Sequence, residues 1–60
     1  MKTSELIRLL KKHGVKFAHH RGNHDFYYSP ISEQYVMIWR HAKEVPIGTA
    51  NQILKDAGLK

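Results

Sequence analysis

Apolar residues near the start of the chain recur at the spacing of an amphipathic helix. The stripe consists of Leu6, Ile7, Leu9 and Leu10. Either Thr3 or Ser4 suits the N-cap, because a side-chain oxygen there can accept a hydrogen bond from an unpaired backbone N–H. Gly14 follows, and glycine readily adopts the left-handed conformation that ends a helix. The pattern predicts a first helix over residues 3–13.

Beyond Gly14 the period of the pattern changes from that of a helix to that of a strand. Three strands are predicted, over residues 15–20, 24–28 and 35–39. Gly22 and Asn23 between the first two strands indicate a tight turn, because both residues tolerate positive φ. Pro30 lies in the polar loop before the third strand, where it stops pairing. The three strands are therefore expected to form an antiparallel meander.

Alternation within these strands predicts which side chains face which way. In the first strand it places Val15, Phe17 and His19 on one face and Lys16, Ala18 and His20 on the other. Phe17 and Phe26 are expected in the core, and Trp39 or Tyr27 on an open face. Exposed aromatic rings suit stacking with RNA bases and also suit a protein partner, so this feature does not discriminate between the two.

A second helical pattern occupies residues 47–60. Its apolar side contains Ile53, Leu54 and Ala57, Thr49 suits the N-cap, and Gly58 suits the end. The predicted fold class is α+β in the order α-β-β-β-α, with one domain over residues 1–60. Both helices are expected on one face of a three-stranded antiparallel sheet, which leaves the opposite face open.

Charge and composition narrow the function classes. The net charge is +5 with a sequence pI near 9.8, which favours a polyanionic partner such as nucleic acid, or serves solubility alone. No apolar run approaches the ~20 residues that cross a bilayer, and cysteine is absent. The sequence predicts a soluble, intracellular protein that does not contact a membrane and has no disulfide or thiolate metal site.

Three segments, taken with their order and spacing, resemble the HicA family of bacterial toxins. They are SELIRLLKKHG at residues 4–14, GNHDFYY at 22–28 and PIGTANQILKDAGL at 46–59, with Arg40 and His41 before the last segment. Two residues depart from the usual pattern. Asn23 stands where serine is usual, and Asp25 stands where a second histidine is frequent.

The resemblance implies a fold like that of double-stranded-RNA-binding domains and a specific activity. Members are toxins of type II toxin–antitoxin systems that cleave mRNA as endoribonucleases in the bacterial cytoplasm, without a metal or other cofactor. The essential histidine of the family corresponds to His24. A HicB-type antitoxin is expected to cover the active face, and the toxin alone is expected to be a monomer.

Without the resemblance, the position of His24 favours a turn-edge histidine bonded to a nearby backbone group; the basic neighbours and the family pattern together favour a role in RNA cleavage. Histidine titrates near neutral pH, so it can act as general base or general acid, and the sequence leaves open which of these it is. Candidates for a second proton-transfer group are His20, His41, Tyr27 and Tyr28. Asp25 is expected either to raise the pKa of His24 or to point to the other face.

Basic and polar residues around the predicted turn are candidates for RNA contact. They are Lys16, His20, Arg21, Asn23, Tyr28, Arg40, His41 and Lys43. Adjacent His19 and His20 point to opposite faces of a strand and have no third ligand, so no metal site is expected. The alternatives to a ribonuclease are a non-catalytic RNA-binding module and a protein-interaction module.

Overall fold

The computed structural model describes residues 1–60 as two helices and one sheet. The elements are α1 (Thr3–Lys12), β1 (Lys16–Arg21), β2 (His24–Ser29), β3 (Gln34–Trp39) and α2 (Ile47–Asp56). The strands are antiparallel in the order β1-β2-β3. The predicted α+β class and the order α-β-β-β-α are confirmed, and each strand bound lies within one residue of its predicted position. This order is that of double-stranded-RNA-binding domains.

The hydrophobic core lies between the helices and one face of the sheet. It contains Leu6, Leu10, Val15, Tyr27, Val36, Ile38, Val45, Ala50, Ile53, Leu54 and Ala57. Both helices contribute to this single cluster, so both cover the same face, as predicted. We call this face the helix side. Buried residues alternate along the strands, Tyr27 and Ser29 on β2 and Val36 and Ile38 on β3, as the pleat of a sheet requires.

The two helices begin without the predicted side-chain caps. The N-cap of α1 is Lys2 and that of α2 is Pro46, and neither forms a side-chain cap hydrogen bond. The Thr3 N–H instead donates to the carbonyl oxygen of Lys43 at 3.0 Å, so a neighbouring chain segment meets the start of α1. Thr49 lies inside α2, because the first helical bond already runs from the Ala50 N–H to Pro46 O. The predictions of Thr3, Ser4 and Thr49 as N-caps are wrong.

Both helices end as predicted, in the same backbone motif. At the end of α2 the Gly58 N–H donates to Lys55 O and the Leu59 N–H to Leu54 O, the paired bonds of a Schellman ending. Gly58 has φ +83°, and a Cβ at this position would lie 2.8 Å from Cγ2 of Ile31. Glycine is therefore required here both by the backbone conformation and by the close approach of the loop.

A β-bulge in β1 overturns the predicted alternation of that strand. Phe17 pairs with Tyr27 and His19 pairs with Phe26, so Ala18 is an extra residue between two consecutive pairs. One extra residue reverses the faces on one side of the bulge relative to the other. Phe17 therefore lies on the helix side and His19 on the opposite face, where strict alternation would have put them together.

The predicted placement of the aromatic residues is partly wrong, because neither Phe17 nor Phe26 belongs to the core. Phe17 is 50% exposed, because it lies on an edge strand in which every residue is exposed. Phe26 lies on the face opposite the core, and its neighbour Tyr27 is buried among the core residues. Trp39 is 42% exposed on the uncovered face, as predicted.

Candidate functional site on the open face of the sheet

The uncovered face of the sheet presents nine side chains in three cross-strand rows. We call this set the open face. Its rows are Arg21–His24–Trp39, His19–Phe26–Met37 and Lys16–Tyr28–Tyr35. Residues directly opposite each other in adjacent strands point the same way, with Cβ atoms about 5 Å apart. The open face therefore brings together two histidines, two cations and a set of aromatic rings.

A tight turn fixes the position of His24. Arg21 and His24 pair on either side of Gly22 and Asn23. Gly22 has φ +60° and Asn23 does not have positive φ, a combination typical of the type II′ turn that suits the twist of a hairpin. The Arg40 N–H donates to Asn23 O at 2.7 Å, so hydrogen bonding to the neighbouring segment continues past the end of β3. His24 is thus held from both sides at the start of the central strand.

The cations of the open face are free of acidic partners. The chain has two salt bridges, one between Arg40 and Asp25 and the other between the N-terminal amine and Glu44. Lys16 and Arg21 take part in neither, and neither side chain forms a hydrogen bond within the chain. None of the nine residues of the open face carries a carboxylate. The formal charges on this face, Lys16 and Arg21, are therefore both positive.

Ring contacts connect the rows of the open face. His19 stacks on Phe26 with ring centroids 4.9 Å apart, and Tyr28 meets Tyr35 edge-on at 5.1 Å. His19 also meets Tyr35 at 5.7 Å. His19 was not among the RNA-contact residues predicted from the sequence, which placed it on the same face as Phe17. The sequence gives no signal for the bulge that separates these two residues.

Asp25 points away from His24, which decides between the two expectations for this carboxylate. It lies on the helix side and accepts a hydrogen bond from Nη1 of Arg40 at 2.9 Å. The Asp25 side chain is 17% exposed and that of Arg40 is 42% exposed. Asp25 and Arg40 therefore form a half-buried ion pair that links the ends of β2 and β3 behind the open face.

Tyr27 lies on the same side of the sheet as this ion pair. Burial raises the pKa of its phenol above 10.0, and the negative charge of Asp25 raises the pKa further. The positive charge of Arg40 acts in the opposite direction. Tyr27 is thus on the face opposite His24, so the expectation that Tyr27 could serve His24 as a proton donor is not met by the geometry.

The remaining predicted contact residues do not all lie near His24. His20 pairs with Asp25 on the helix side, so the expectation that it could approach His24 across the turn is wrong. Lys43 lies beside the start of α1, where its carbonyl oxygen accepts the Thr3 N–H. His41 is exposed in the turn after β3. Of the predicted contacts, Lys16, Arg21 and Tyr28 share the open face with His24.

No three histidine or acidic side chains come together in a group that could hold a metal ion. Neither helix has the length and apolar character needed to span a bilayer.

Comparison with models of known protein families assigns the chain to a family. Residues 3–59 match the family described as the HicA toxin of bacterial toxin–antitoxin systems. The chain belongs to the HicA toxin family. The match extends from the first residue of α1 to beyond the end of α2, and so includes the turn that carries His24. Comparison with curated proteins gives no significant match.

Membership confirms the family that the sequence motifs predicted. This HicA toxin is one component of a bacterial toxin–antitoxin pair. Its sheet has one face covered by two helices and one face, carrying His24, that no part of the chain covers. The open face is therefore the side from which His24 is accessible.

Proposed function

We propose that this HicA toxin is a metal-independent endoribonuclease that cleaves mRNA in the bacterial cytoplasm, with His24 as general acid or general base. The observation that carries the proposal is the row Arg21–His24–Trp39. It combines a proton-transfer group, an unpaired cation and an exposed ring on a face without carboxylates. Lys16 and Tyr28 add a second cation and a hydroxyl to the same face.

The proposed reaction needs proton transfer and charge stabilisation. The 2′-hydroxyl of a ribose loses its proton and attacks the adjacent phosphorus, while the 5′ oxygen accepts a proton and leaves. The products are a 2′,3′-cyclic phosphate and a 5′-hydroxyl. Imidazole suits either proton transfer near neutral pH. The Arg21 guanidinium, paired with His24 across the turn, suits the negative charge that builds up on the phosphoryl oxygens.

The turn makes His24 suitable for this role. General acid–base catalysis requires a group that is exposed to substrate and held in a fixed orientation. His24 is the first residue of the central strand, with pairing residues on both sides. A catalytic group on a central strand loses little orientation to loop motion, in contrast to His41 in the turn after β3.

The decisive experiment is cleavage of an end-labelled single-stranded RNA in the presence of EDTA. We expect His24→Ala to cut at least about a hundredfold more slowly than wild type, the usual minimum contribution of a general acid or base. His13→Ala is the matched control. His13 is an exposed histidine just after α1, and its side chain forms one hydrogen bond, between Nδ1 and the carbonyl oxygen of Leu9. Equal cutting by wild type and His24→Ala would refute the assignment.

The same experiment tests a non-catalytic alternative. The aromatic and basic composition of the open face also suits an RNA-binding module that performs no chemistry. Such a module would bind the labelled RNA and leave it intact. A toxin with the proposed activity would also arrest bacterial growth on expression, and a HicB-type antitoxin covering the open face would relieve the arrest. His24→Ala is expected to abolish the arrest.

A further inference from the structure

The open face separates its charges from its rings. The cations Lys16 and Arg21 lie on β1, at one edge of the sheet, while Tyr35, Met37 and Trp39 lie on β3 at the other edge. His24, Phe26 and Tyr28 form the central column between them. The cations and the stacking rings thus form two parallel lines, each of which runs along one edge strand of the sheet.

We propose that the open face is a platform for single-stranded RNA, with the phosphates along β1 and the bases stacked on Tyr35 and Trp39. The inference rests on the proposed function in one respect, because it places the phosphate to be cut at His24. It goes beyond that function in assigning a binding surface, its polarity across the sheet and the strandedness of the substrate.

The bulge at Ala18 is what produces the line of cations. Lys16 and Arg21 are five positions apart, an odd number, so a regular strand would put them on opposite faces. The extra residue between the Phe17 and His19 pairs brings both onto the open face. His19 lies between them on the same strand and face. A phosphate backbone that follows β1 would meet a basic or titratable side chain in every row.

Charge favours a nucleic acid over a protein as the occupant. Both cations lack an ion-pair partner within the chain, and the nearest carboxylate in sequence, Asp25, is on the helix side and bonded to Arg40. Phosphates supply the missing counter-charge at a regular repeat along the chain. The exposed rings beside the cations match the combination of basic groove and stacking side chains by which proteins hold single strands.

Ring exposure favours a single strand over a duplex. Tyr35 is 58% exposed and Trp39 is 42% exposed. These rings can stack only on bases whose faces are accessible, and paired bases within a helix are not. Tyr35 and Trp39 are four residues apart on β3, or about 13 Å. The sheet of an RNA-recognition motif stacks two or three bases, which occupy a comparable length.

The single tryptophan of the chain is a built-in probe for this surface. Titration of wild type with a single-stranded 2′-O-methyl oligonucleotide, which lacks the free 2′-hydroxyl needed for cleavage, is expected to quench the fluorescence of Trp39. The same oligonucleotide annealed to its complement is expected to leave the fluorescence unchanged. Quenching by the duplex at equal concentration, or by neither form, would overturn the proposal.

Affinity measured with a fluorescein-labelled oligonucleotide tests the individual contacts. We expect Tyr35→Ala and Trp39→Ala each to weaken binding about tenfold, as removal of a stacking ring commonly does. Phe17→Ala is the matched control, an aromatic of similar exposure on the same sheet but on the helix side. Circular dichroism of each variant shows that the fold is retained. Equal affinity of the control and both open-face variants would overturn the proposal.

Salt dependence tests the phosphate line separately. Removing one phosphate contact lowers the slope of log affinity against log salt concentration by about 0.7 for a single strand. We expect this reduction in Lys16→Ala and again in Arg21→Ala. A slope unchanged in both variants would contradict the assignment of β1 to the phosphates.

Failure of this inference and failure of the proposed function give different results. The 2′-O-methyl oligonucleotide cannot be cut, so its binding to wild type measures the surface independently of the activity. If RNA is never cut but the oligonucleotide quenches Trp39, the proposed binding surface is supported and the proposed ribonuclease activity is refuted. If RNA is cut in a His24-dependent way while Tyr35→Ala and Trp39→Ala keep full affinity, the proposed activity is supported and the proposed binding surface is refuted. Quenching of Trp39 by an antitoxin but not by the oligonucleotide would assign the open face to protein and overturn the inference.

Discussion

The two faces of this sheet are built from the same three strands, but the helices cover only one of them. On the helix side, Tyr27, Val36 and Ile38 are buried in the core. On the open face, their immediate neighbours in the chain, such as Phe26 and Met37, are equally apolar and have no covering element. Burial explains the first set and does not explain the second. The open face therefore carries residues that lie outside the hydrophobic core, and these include His24.

The largest difference between the faces is expected in stability. Leu10 is fully buried, so Leu10→Ala removes packing and leaves a cavity, and we expect a loss of about 2–5 kcal/mol in the free energy of unfolding. That is a large share of the roughly 3–9 kcal/mol expected for a chain of this size. Tyr35→Ala on the open face is the comparison, with an expected loss of about 1 kcal/mol or less.

Urea unfolding followed by circular dichroism measures both variants. The loss for Leu10→Ala would appear as a lower midpoint with the slope little changed. Comparable losses in the two variants would mean that the open face contributes to folding as the helix side does, and the contrast between the faces would fail.

Helix chemistry made most of the fold predictable. The apolar stripe of α1 and the glycine endings at Gly14 and Gly58 rely on local interactions within about one turn, so the sequence contains all the information they need. The helix starts were predicted correctly, but the N-cap residues were not, and at α1 the reason is a partner distant in sequence. The Thr3 N–H bonds to Lys43, which no local pattern identifies.

Strand faces were less predictable because apolar residues occupy consecutive positions. In the run Phe26-Tyr27-Tyr28 every residue is a strong β-former, so hydrophobicity cannot tell which one faces the core. The helices decide, and they bury Tyr27. The bulge at Ala18 has no sequence signal either, and it determines which residues of β1 join His24.

The sequence nominates His24 as the central residue of the candidate site, through the family motif, but it does not identify the residues around it. That Arg21 shares its face, and that His20 does not, depends on strand register. The ion pair of Asp25 with Arg40 depends on the relative position of two strand ends, which are fifteen residues apart in the chain. Tertiary geometry of this kind cannot be derived from spacing alone.

Intermediate effects on stability and on RNA cleavage are expected from a substitution at Asp25. This residue is next to His24 in sequence, but its side chain lies on the other face of the sheet. Asp25→Asn removes the charge that pairs with Arg40, and partly exposed ion pairs contribute about 1 kcal/mol or less. Because the carboxylate points to the helix side, we expect RNA cleavage to stay within about threefold of wild type, a change of about 0.7 kcal/mol in the activation barrier. Cleavage kinetics and urea unfolding of the same preparation measure both quantities.

A double-mutant cycle provides the control for Asp25. Arg40→Gln breaks the same ion pair from the other partner, so the double variant should lose little more stability than either single variant. A loss of cleavage in Asp25→Asn as large as that in His24→Ala would show that the two faces are coupled at the turn.

The smallest expected effect is a pH dependence that belongs to the helix side alone. Burial raises the pKa of Tyr27 above its ordinary value of 10.0, so the folded chain holds this proton more tightly than the unfolded chain does. The resulting stabilisation is fully present below about pH 10 and is lost as pH rises through the pKa of the folded state.

In Tyr27→Phe no phenol titrates at this position, so the stability of the variant should fall less steeply above about pH 10 than that of wild type. Urea unfolding between about pH 8 and pH 11 measures the difference. Tyr35→Phe, more than half exposed on the open face, should follow the wild-type curve. Parallel curves for wild type and Tyr27→Phe would mean that burial on the helix side does not reach the Tyr27 hydroxyl.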